Sequence, residues 1–333
     1  MKLLFDTNGG DNAPFSIVKG AIDASNKFDV EIGLIGKEEE IKKVLEDLSY
    51  DESKVEIIPA EEKIENDEEP AFAIRKKKNS SIVIGLKALK EGKGDAFISA
   101  GSTGALLAGG LFLIGRIKGV KRAVLPTFLP GIHGETMIID SGANMDCDGD
   151  LLMQFAQLGS AYLKVCKGIQ NPKVGLLNVG QEPGKGNQLS KEAYQILENS
   201  SLNFIGNVEA SHISVTKSDV VVCDGFDGNI LLKSVEGTAG YILKGLFETL
   251  KNSDLPNTVQ GEIKNTFSQF TKKLDASEIG GTILLGIQNL VIKAHGNSND
   301  RAIMNAAKIA IEMVHKNIIE EIEKNLENEM KGA

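Results

Sequence analysis

The sequence predicts an α/β protein built on a doubly wound, mostly parallel sheet, with residues 1–333 forming one large domain. Three observations predict this fold class. Short apolar runs rich in β-branched residues alternate with longer amphipathic segments, as buried parallel strands alternate with crossover helices. Almost every apolar run ends in a glycine-rich loop that contains a small polar or charged residue. With 333 residues, 41% of them hydrophobic, the chain can also bury a large core.

The predicted strands begin with the apolar run Leu3-Leu4-Phe5, which leads into the loop "DTNGGDNAP" at residues 6–14. Each later run is short, lies between polar loops and carries the β-branched residues that favour strands. The later strands are predicted at residues 30–35, 55–58, 96–99, 123–128, 137–140, 174–179 and 220–223.

The segments between the strands have the apolar spacing of amphipathic helices. Pro14 opens the first of them, in the first helical turn where proline is favoured. The helices are predicted at residues 14–26, 38–48, 80–91, 103–114, 149–167, 189–198, 230–250 and 300–330.

Residues 241–274 predict a helical hairpin that protrudes from the domain. Apolar residues recur at helical spacing on both sides of the polar interruption "NSDLPN". Two interpretations of this apolar stripe remain open: it packs against the core or a second copy of the chain, or it lies on a membrane surface. The side chains predicted to make membrane contact are Leu246, Phe247, Phe267 and Phe270.

Composition excludes several classes of protein. The net charge is -9 and only 5% of residues are aromatic, so the chain lacks the basic surface and stacking platforms of a nucleic-acid-binding protein. Its three cysteines form no CxxC pair and are odd in number, which favours a reduced, cytoplasmic setting. No run approaches the ~20 apolar residues that a membrane-spanning helix needs.

Five glycine-rich loops lie at predicted strand ends, where doubly wound sheets bind their ligands. One such loop indicates only a tight β-to-α connection, whereas five in one chain indicate a shared cleft. The loops are "DTNGGD" (6–11), "SAGSTGA" (99–105), "DSGANMDCD" (140–148), "NVGQEPGKGN" (178–187) and "DGFDGN" (224–229).

These loops fit neither nucleotide motif. A dinucleotide fingerprint needs GxGxxG after a strand, and the first turn offers only GGDNAP. The loop "GQEPGKGN" lacks both the spacing and the final hydroxyl of a Walker A sequence. The loop aspartates could hold a hard cation, but no EF-hand spacing occurs, and an Asp at a strand end is commonly a helix cap. We therefore expect no required metal.

An anion pocket fits the loops better. Backbone N–H groups of Gly101 and Gly104, with hydroxyls of Ser102 and Thr103, would surround a phosphate at the start of a helix. A lone lysine is usually a solvated surface charge. Lys185, however, lies between glycines, Gly186 among them, in a strand-exit loop, and this setting favours a role in anion binding.

No nucleophile and base can be paired from the sequence. There is no GxSxG elbow, and Ser141 in "DSGAN" has no assignable base. If the reaction is acyl transfer, the substrate anion can attack the carbonyl itself, and the protein needs only to position it and stabilise the oxyanion. Asn229, at the end of "DGFDGN", is suited to donate to that oxyanion.

As a set, the loops resemble the phosphate acyltransferase family of bacterial phospholipid synthesis, over Met1 to about Ala310. The resemblance rests on eight motifs in the same order. They are "GGDNAP", "SAGSTGALLAG", "DSGANMDC", "GLLNVGQEPGKGN", "GNVE", "VVVCDGFDGNILLKSVEG", "GGTILLG" and "VIKAHGNS".

The resemblance implies transfer of a fatty acyl group from acyl carrier protein to inorganic phosphate, giving acyl phosphate for phospholipid synthesis. It implies a sandwich fold related to isocitrate and isopropylmalate dehydrogenases and to phosphotransacetylase, and a homodimer. It also implies a cytoplasmic enzyme held peripherally at the inner face of the membrane through the hairpin. Lys185 and Asn229 match the family's lysine of the "KGN" loop and its asparagine of "DGFxGN". No metal or organic cofactor is implied.

Further substrate-binding positions are expected from the other motifs. In the opening turn, Gly9 and Gly10 let the chain pass close to the substrate, while Asp11 orients neighbouring donors. Asn144 and His295 belong to the "DSGAN" and "KAHG" motifs. Where the family commonly has "DAMGGD" this chain has "DTNGGD", so neither Thr7 nor Asn8 is assigned a role. Separately, Ser102 occupies a position that is often Asn in the family.

Three other functions remain possible on the sequence alone. One is a phosphotransacetylase-like enzyme that uses acyl-CoA in place of the carrier protein. Another is a noncatalytic scaffold in lipid synthesis, which would show no phosphate-dependent thioester cleavage. The third is an isocitrate-dehydrogenase-like oxidoreductase, which would bind NAD and a metal.

Overall fold

The computed structural model describes residues 1–272 and 280–332, with side chains described to residues 267 and 327 of these ranges. The α/β class predicted from the sequence is confirmed, with mostly parallel strands. Within the described ranges, the strands divide between two sheets of six and five strands.

The first sheet has the strand order β10-β11-β4-β1-β2-β3, and only the β10–β11 pair in it is antiparallel. From β1 the chain moves to β2 on one side, whereas β4 pairs on the other side, so the strand order reverses between β1 and β4. Open α/β sheets bind ligands at such a reversal. The strands are β1 (Lys2–Asp6), β2 (Glu31–Gly36), β3 (Val55–Pro59), β4 (Ala96–Ser99), β10 (Gly281–Ile283) and β11 (Val291–Ala294).

The second sheet has the order β5-β6-β9-β7-β8, and its β5–β6 pair is antiparallel. Its central strand, β9, is the fully buried run Val-Val-Val, which pairs in parallel with β6 and β7. The strands are β5 (Thr127–Gly131), β6 (Gly134–Ile139), β7 (Lys173–Asn178), β8 (Asn203–Glu209) and β9 (Val220–Val222).

Helices cover both faces of the sheets. The helices are α1 (Phe15–Phe28), α2 (Glu38–Leu45), α3 (Pro70–Lys76), α4 (Ser81–Lys90), α5 (Thr103–Gly109), α6 (Gly149–Lys167), α7 (Gln188–Glu198), α8 (Gly225–Lys251), α9 (Asn257–Lys272), α10 (Asp300–His315) and α11 (Ile318–Gly332). A π-helical turn, Gly110–Ile114, continues α5.

One apolar core joins the two sheets. It contains Leu3 and Phe5 of the first sheet, Met137 and Ile139 of the second, and Phe155 of α6, all fully buried. Separate apolar clusters lie on the outer faces, under α3 to α5 on the first sheet and under α8 on the second. This layering leaves the carboxyl ends of both sheets open to a shared cleft.

Several elements differ from the sequence prediction. Strands β8, β10 and β11 and helix α3 were not predicted, because each is short or carries polar residues that hide its periodicity. The strand expected at residues 123–128 begins at Thr127, and residues before it form only a bridge to Leu285. The helix expected at 300–330 is two helices, since Asn317 adopts a left-handed conformation between them.

None of the helices in the described ranges has the length and apolar composition needed to cross a bilayer.

Candidate active site

A cleft of about 850 Å³ opens between the carboxyl ends of the two sheets. It is lined by the loops that follow β4, β6 and β11, by β5 and by residues of α8 between Asn229 and Leu243. Gly101, Thr103, Ser141, Asn229 and His295, all predicted from the sequence, contribute to this lining. Loops that are far apart in the sequence therefore meet at one site.

The β4–α5 loop forms one wall. Gly101 and Thr103 line the cleft. Ser102 is buried and caps α5, because its Oγ accepts a hydrogen bond from the Ala105 N–H at 3.4 Å. A side chain at Gly104 would meet Pro70, its Cβ lying 2.6 Å from the proline ring. Ser102 and Gly104 thus shape the loop, while their neighbours face the cleft.

The opening turn lies behind this wall. Asp6 is fully buried and its carboxylate accepts hydrogen bonds from Ser99 Oγ at 2.6 Å and from the Asn8 N–H at 3.2 Å. A Cβ at Gly9 would lie 2.4 Å from Asp6 Oδ2 and 2.6 Å from the Gly101 nitrogen, so only glycine allows the two loops to touch. Burial raises the pKa of Asp6, although hydrogen bonds from Ser81 and Ser99 act against this.

The same turn also reaches the loop after β11. Gly10 has a φ of +96°, and the Asp11 N–H donates to the Gly296 carbonyl at 2.7 Å. Gly296 lines the cleft, whereas Gly9, Gly10 and Asp11 are not among the described residues that line it. The opening turn therefore packs against both cleft-lining loops from behind.

Asp140 organises the opposite wall. Its fully buried carboxylate accepts hydrogen bonds from the backbone N–H groups of Leu125, Ala143 and Asn144, at 3.1, 3.0 and 2.6 Å. Asn144 Nδ2 donates to Asp140 Oδ2 and to the Ala123 carbonyl, so this amide supports the loop and does not line the cleft.

Ser141 lies next to Asp140 and faces the cleft. Its Oγ lies 2.8 Å from the Leu125 carbonyl and 2.7 Å from Thr127 Oγ1. The first partner is a backbone carbonyl and the second is a hydroxyl, and neither is a base that could activate a serine nucleophile. The hydroxyl pair formed by Ser141 and Thr127 therefore serves as a polar patch of the wall.

Asn229 lies in the first turns of α8, a helix capped by Asp224, whose Oδ1 accepts from the Asp227 N–H at 2.8 Å. The Asn229 side chain is half-buried and lies close to Gly142, whose φ of +130° suits glycine. Its amide has no hydrogen-bond partner among the described residues. An amide donor is thus available to a ligand in the cleft.

Lys185 has a different position. It is exposed in the β7–α7 loop and is not among the described residues that line the cleft. The loop is anchored, because Asn178 Nδ2 donates to the Lys185 carbonyl at 3.2 Å, and Gly186 adopts a φ of +94° directly beside Asn178. Lys185 and Gly186 thus lie outside the cleft lining to which Gly101, Thr103, Ser141, Asn229 and His295 contribute.

Lys293 lines the cleft and was missed by the sequence prediction. It is half-buried near the end of β11, where it pairs in register with Ser99 of β4. Burial lowers the pKa of Lys293 to about 8, although the negative charges of Asp6 and Asp11 act in the opposite direction. The motif "VIKAHGNS" contains Lys293 and could have identified it. Had residues 291–294 been interpreted as a strand, Lys293 would have been placed at the strand end beside the exposed His295.

The remainder of the cleft is largely apolar. One side is formed by Leu232, Val235 and Leu243 of α8, and the other by Phe128 and Leu129 of β5. Such an apolar groove that ends in a few polar groups is typical of sites for amphipathic small molecules. In the described part of the chain, no three His, Cys, Asp or Glu side chains are grouped to hold a metal ion.

Two solved phosphotransacetylases have a similar fold. The EutD phosphotransacetylase from Staphylococcus aureus aligns with a TM-score of 0.60, and a phosphotransacetylase from Streptococcus pyogenes with 0.59. Each alignment covers 94% of both chains at 19% identity. At this identity the likeness establishes the fold alone.

Sequence relatives are much closer. The phosphate acyltransferase of Caldanaerobacter subterraneus subsp. tengcongensis is 48% identical over 328 residues, which cover 98% of both chains. That of Dictyoglomus turgidum is 46% identical over 330 residues, covering 97% of this chain and 98% of the relative. A family model described as "fatty acid synthesis protein" matches residues 1–321. The chain therefore belongs to the fatty acid synthesis protein family, alongside relatives that are named phosphate acyltransferases.

Proposed function

We propose that this protein transfers a fatty acyl group from an acyl carrier protein thioester to inorganic phosphate, producing acyl phosphate for phospholipid synthesis. The observation that carries the proposal is the unpaired Asn229 amide at the polar end of an apolar cleft. The apolar side can hold an acyl chain, and the polar end can hold a carbonyl and an anion. Full-length similarity to phosphate acyltransferases supports the same reaction.

The chemistry requires positioning more than a protein nucleophile. An oxygen of hydrogen phosphate attacks the thioester carbonyl carbon, a C–O bond forms, and the C–S bond breaks. The carrier leaves as a thiolate and takes up the proton that phosphate loses, so the products are acyl phosphate and free carrier thiol. Asn229 donates a hydrogen bond to the carbonyl oxygen as negative charge develops on it. The Thr103 hydroxyl and the Gly101 loop border the phosphate.

Lys185 is also part of the proposal, as a cation that helps to hold the phosphate. Sequence similarity supports this role, and so does the setting of Lys185 in an anchored glycine-rich loop. Because its side chain is exposed and outside the cleft lining, the role requires the β7–α7 loop to bring its ammonium group to the bound substrate.

Homodimer formation and peripheral membrane contact at the inner, cytoplasmic face are proposed for α8 and α9. These helices expose large apolar side chains, among them Tyr241 at 80%, Ile242 at 58% and Phe267 at 37%. Leu246 and Phe247 are half-buried, and the side chain of Phe270 lies outside the described residues. Lipid-facing residues and a dimer contact can both use such a surface.

The function is tested by phosphate-dependent release of thiol from an acylated carrier protein, with acyl phosphate trapped by hydroxylamine. We expect release with the carrier substrate and a much lower kcat/KM with acyl-CoA. Asn229→Ala should lower kcat by about a hundredfold, because one oxyanion donor is lost. Asn26→Ala is the matched control, since that exposed amide donates only to the Ser49 carbonyl.

Two results would contradict the proposal. Absence of phosphate-dependent thiol release would favour a noncatalytic scaffold. A higher kcat/KM with acyl-CoA than with the carrier thioester would instead favour a phosphotransacetylase-like enzyme.

A further inference from the structure

Lys293 is a cation held inside the cleft. Its ammonium donates to the carbonyl of Ala100 at 3.5 Å and to that of Ala294. An ammonium group has three N–H donors, and the third has no partner among the described residues. Because Lys293 also lines the cleft, this donor is available to a ligand there.

No carboxylate among the described residues lies within ion-pair distance of Lys293. Lys233, the other lysine of the cleft lining, pairs with Glu236 at 2.7 Å, so its charge is already compensated. Asp6 and Asp11 are near enough to stabilise the charge of Lys293, and the Asp6 carboxylate accepts a hydrogen bond from Ser99 Oγ. A half-buried ammonium without a direct counter-ion is an attractive site for an anion.

The surrounding loops define what kind of anion fits. Ala100, whose carbonyl accepts from Lys293, precedes Gly101 and Thr103 in the chain after β4, and His295 and Gly296 follow Lys293. All of these residues line the cleft. The register of β11 with β4 places Lys293 opposite Ser99, at the edge where the strand order reverses. The cation thus lies where the carboxyl ends of β4 and β11 meet the cleft.

We propose that Lys293 binds the phosphate nucleophile within the cleft, as a phosphate-binding residue that the sequence motifs did not identify. This inference rests on the proposed function. The ammonium, held by two backbone carbonyls, donates its remaining N–H to a phosphate oxygen and holds the anion beside the thioester carbonyl that Asn229 polarises. Lys185, from its exposed loop, would act only after the phosphate has bound.

The binding should depend on pH in a defined direction. Because the pKa of Lys293 is lowered to about 8, the charged form predominates below that pH and is lost as pH rises through it. The other charged or titratable groups that face Lys293 are Asp6 and Asp11 behind it and His295, Lys233 and Glu236 around the cleft. Between about pH 7.5 and 9.5 the dianion fraction of free phosphate only increases, so a rise in the KM for phosphate in this window runs against phosphate ionisation and reports the loss of charge on Lys293.

The experiment measures the KM for inorganic phosphate, the KM for the acylated carrier, and the rise in Tm that inorganic phosphate alone causes. Lys293→Met should raise the KM for phosphate about 10- to 100-fold, because a charge-assisted contact is lost. The KM for the carrier should change less than about twofold, and the Tm rise should disappear. Lys293→Arg, which stays charged, should bind phosphate without the loss above pH 8.

Lys90→Met is the matched control, since Lys90 Nζ also donates to a backbone carbonyl, that of Leu113 at 2.6 Å, but lies outside the cleft lining. It should behave as the unaltered protein. If Lys293→Met does not fold, the pH profiles of the unaltered protein and of Lys293→Arg decide. A KM for phosphate that is flat across the window in the unaltered protein overturns the inference.

Failure of the inference and of the proposed function can be told apart. An unchanged KM for phosphate and an unchanged Tm rise in Lys293→Met, with thioester cleavage retained, overturn the phosphate-binding role alone. A phosphate-induced Tm rise that depends on Lys293, without any thioester cleavage by the unaltered protein, overturns the acyl-transfer function and leaves the phosphate site. No Tm rise in the unaltered protein also contradicts the inference.

Discussion

At the scale of single residues, Asp140 holds together the segments that form the second wall of the cleft. Its carboxylate accepts four hydrogen bonds, three from backbone N–H groups and one from the Asn144 side chain, while it is fully buried. Burial raises its pKa, and the bond from the Leu125 N–H is the largest effect acting against this rise. A buried acceptor with so many donors can be replaced only at a cost in stability.

Asp140→Asn should lower the free energy of unfolding by about 3 kcal/mol. The reason is that the amide NH₂ replaces a carboxylate oxygen, so the N–H groups that donated to this oxygen would face another donor. Urea denaturation monitored by circular dichroism measures the loss. Asp51→Asn is a matched control, since this exposed carboxylate accepts only from Ser53, and its loss should be much smaller. Equal midpoints for the Asp140 variant and the unaltered protein would show that the network is not needed for stability.

At the scale of elements, α8 contributes both to the cleft lining and to an exposed apolar surface. Its first half carries Asn229 and the apolar groove residues Leu232 and Val235. The helix lines the cleft as far as Leu243, exposes Tyr241 and Ile242, and contacts α9. The described part of the predicted hairpin, residues 241–272, therefore begins within the helix that lines the cleft.

Replacing Ile242 and Phe267 by Asn should reduce retention on vesicles that contain anionic lipid by about tenfold, since both are exposed and apolar. Flotation with vesicles measures retention, and light scattering measures the mass of each variant. Ile132→Asn is the control, because Ile132 is 78% exposed in the β5–β6 turn, far from these helices in the sequence. Unchanged retention would argue against membrane contact, and loss of the dimer would assign the stripe to subunit contact.

At the scale of the whole molecule, the net charge of -9 opposes association with an acidic carrier protein. Association therefore needs a local basic patch, for which residues 75–78 and 118–122 are the candidates. The first patch lies on and just after α3, which packs against α5, the helix that begins at the cleft. Lys76 and Lys78 in it are exposed.

In the second patch, Lys121 pairs with Asp150 and Arg122 donates to the Asp146 carbonyl.

Lys76→Glu combined with Lys78→Glu should raise the KM for the acylated carrier several-fold at low salt and flatten its dependence on ionic strength, with kcat unchanged. Steady-state kinetics over a range of NaCl concentrations measures this. Lys308→Glu with Lys316→Glu changes the net charge equally on α10 and the residue after it, and should have a smaller effect. Equal effects of the two double variants would show that only total charge matters.

Elements whose cause is local could be predicted from the amino-acid sequence. Helix α6 has the predicted bounds, Gly149–Lys167, because Asp148 caps its start and Gly168 ends it in a left-handed conformation. Strand β4 likewise has its predicted bounds. The alternation of strands and helices, and with it the α/β class, follows from periodicity within each segment.

Which strand ends meet could be seen only in the folded chain. Strand order and the division into two sheets depend on pairing between distant residues, which no local pattern encodes. That pairing brings Gly101, Ser141, Asn229 and His295 to one cleft and leaves the equally glycine-rich loop of Lys185 outside its lining. It also gives Lys293, an ordinary lysine in the sequence, a half-buried position with a lowered pKa, because burial is a property of the assembled fold.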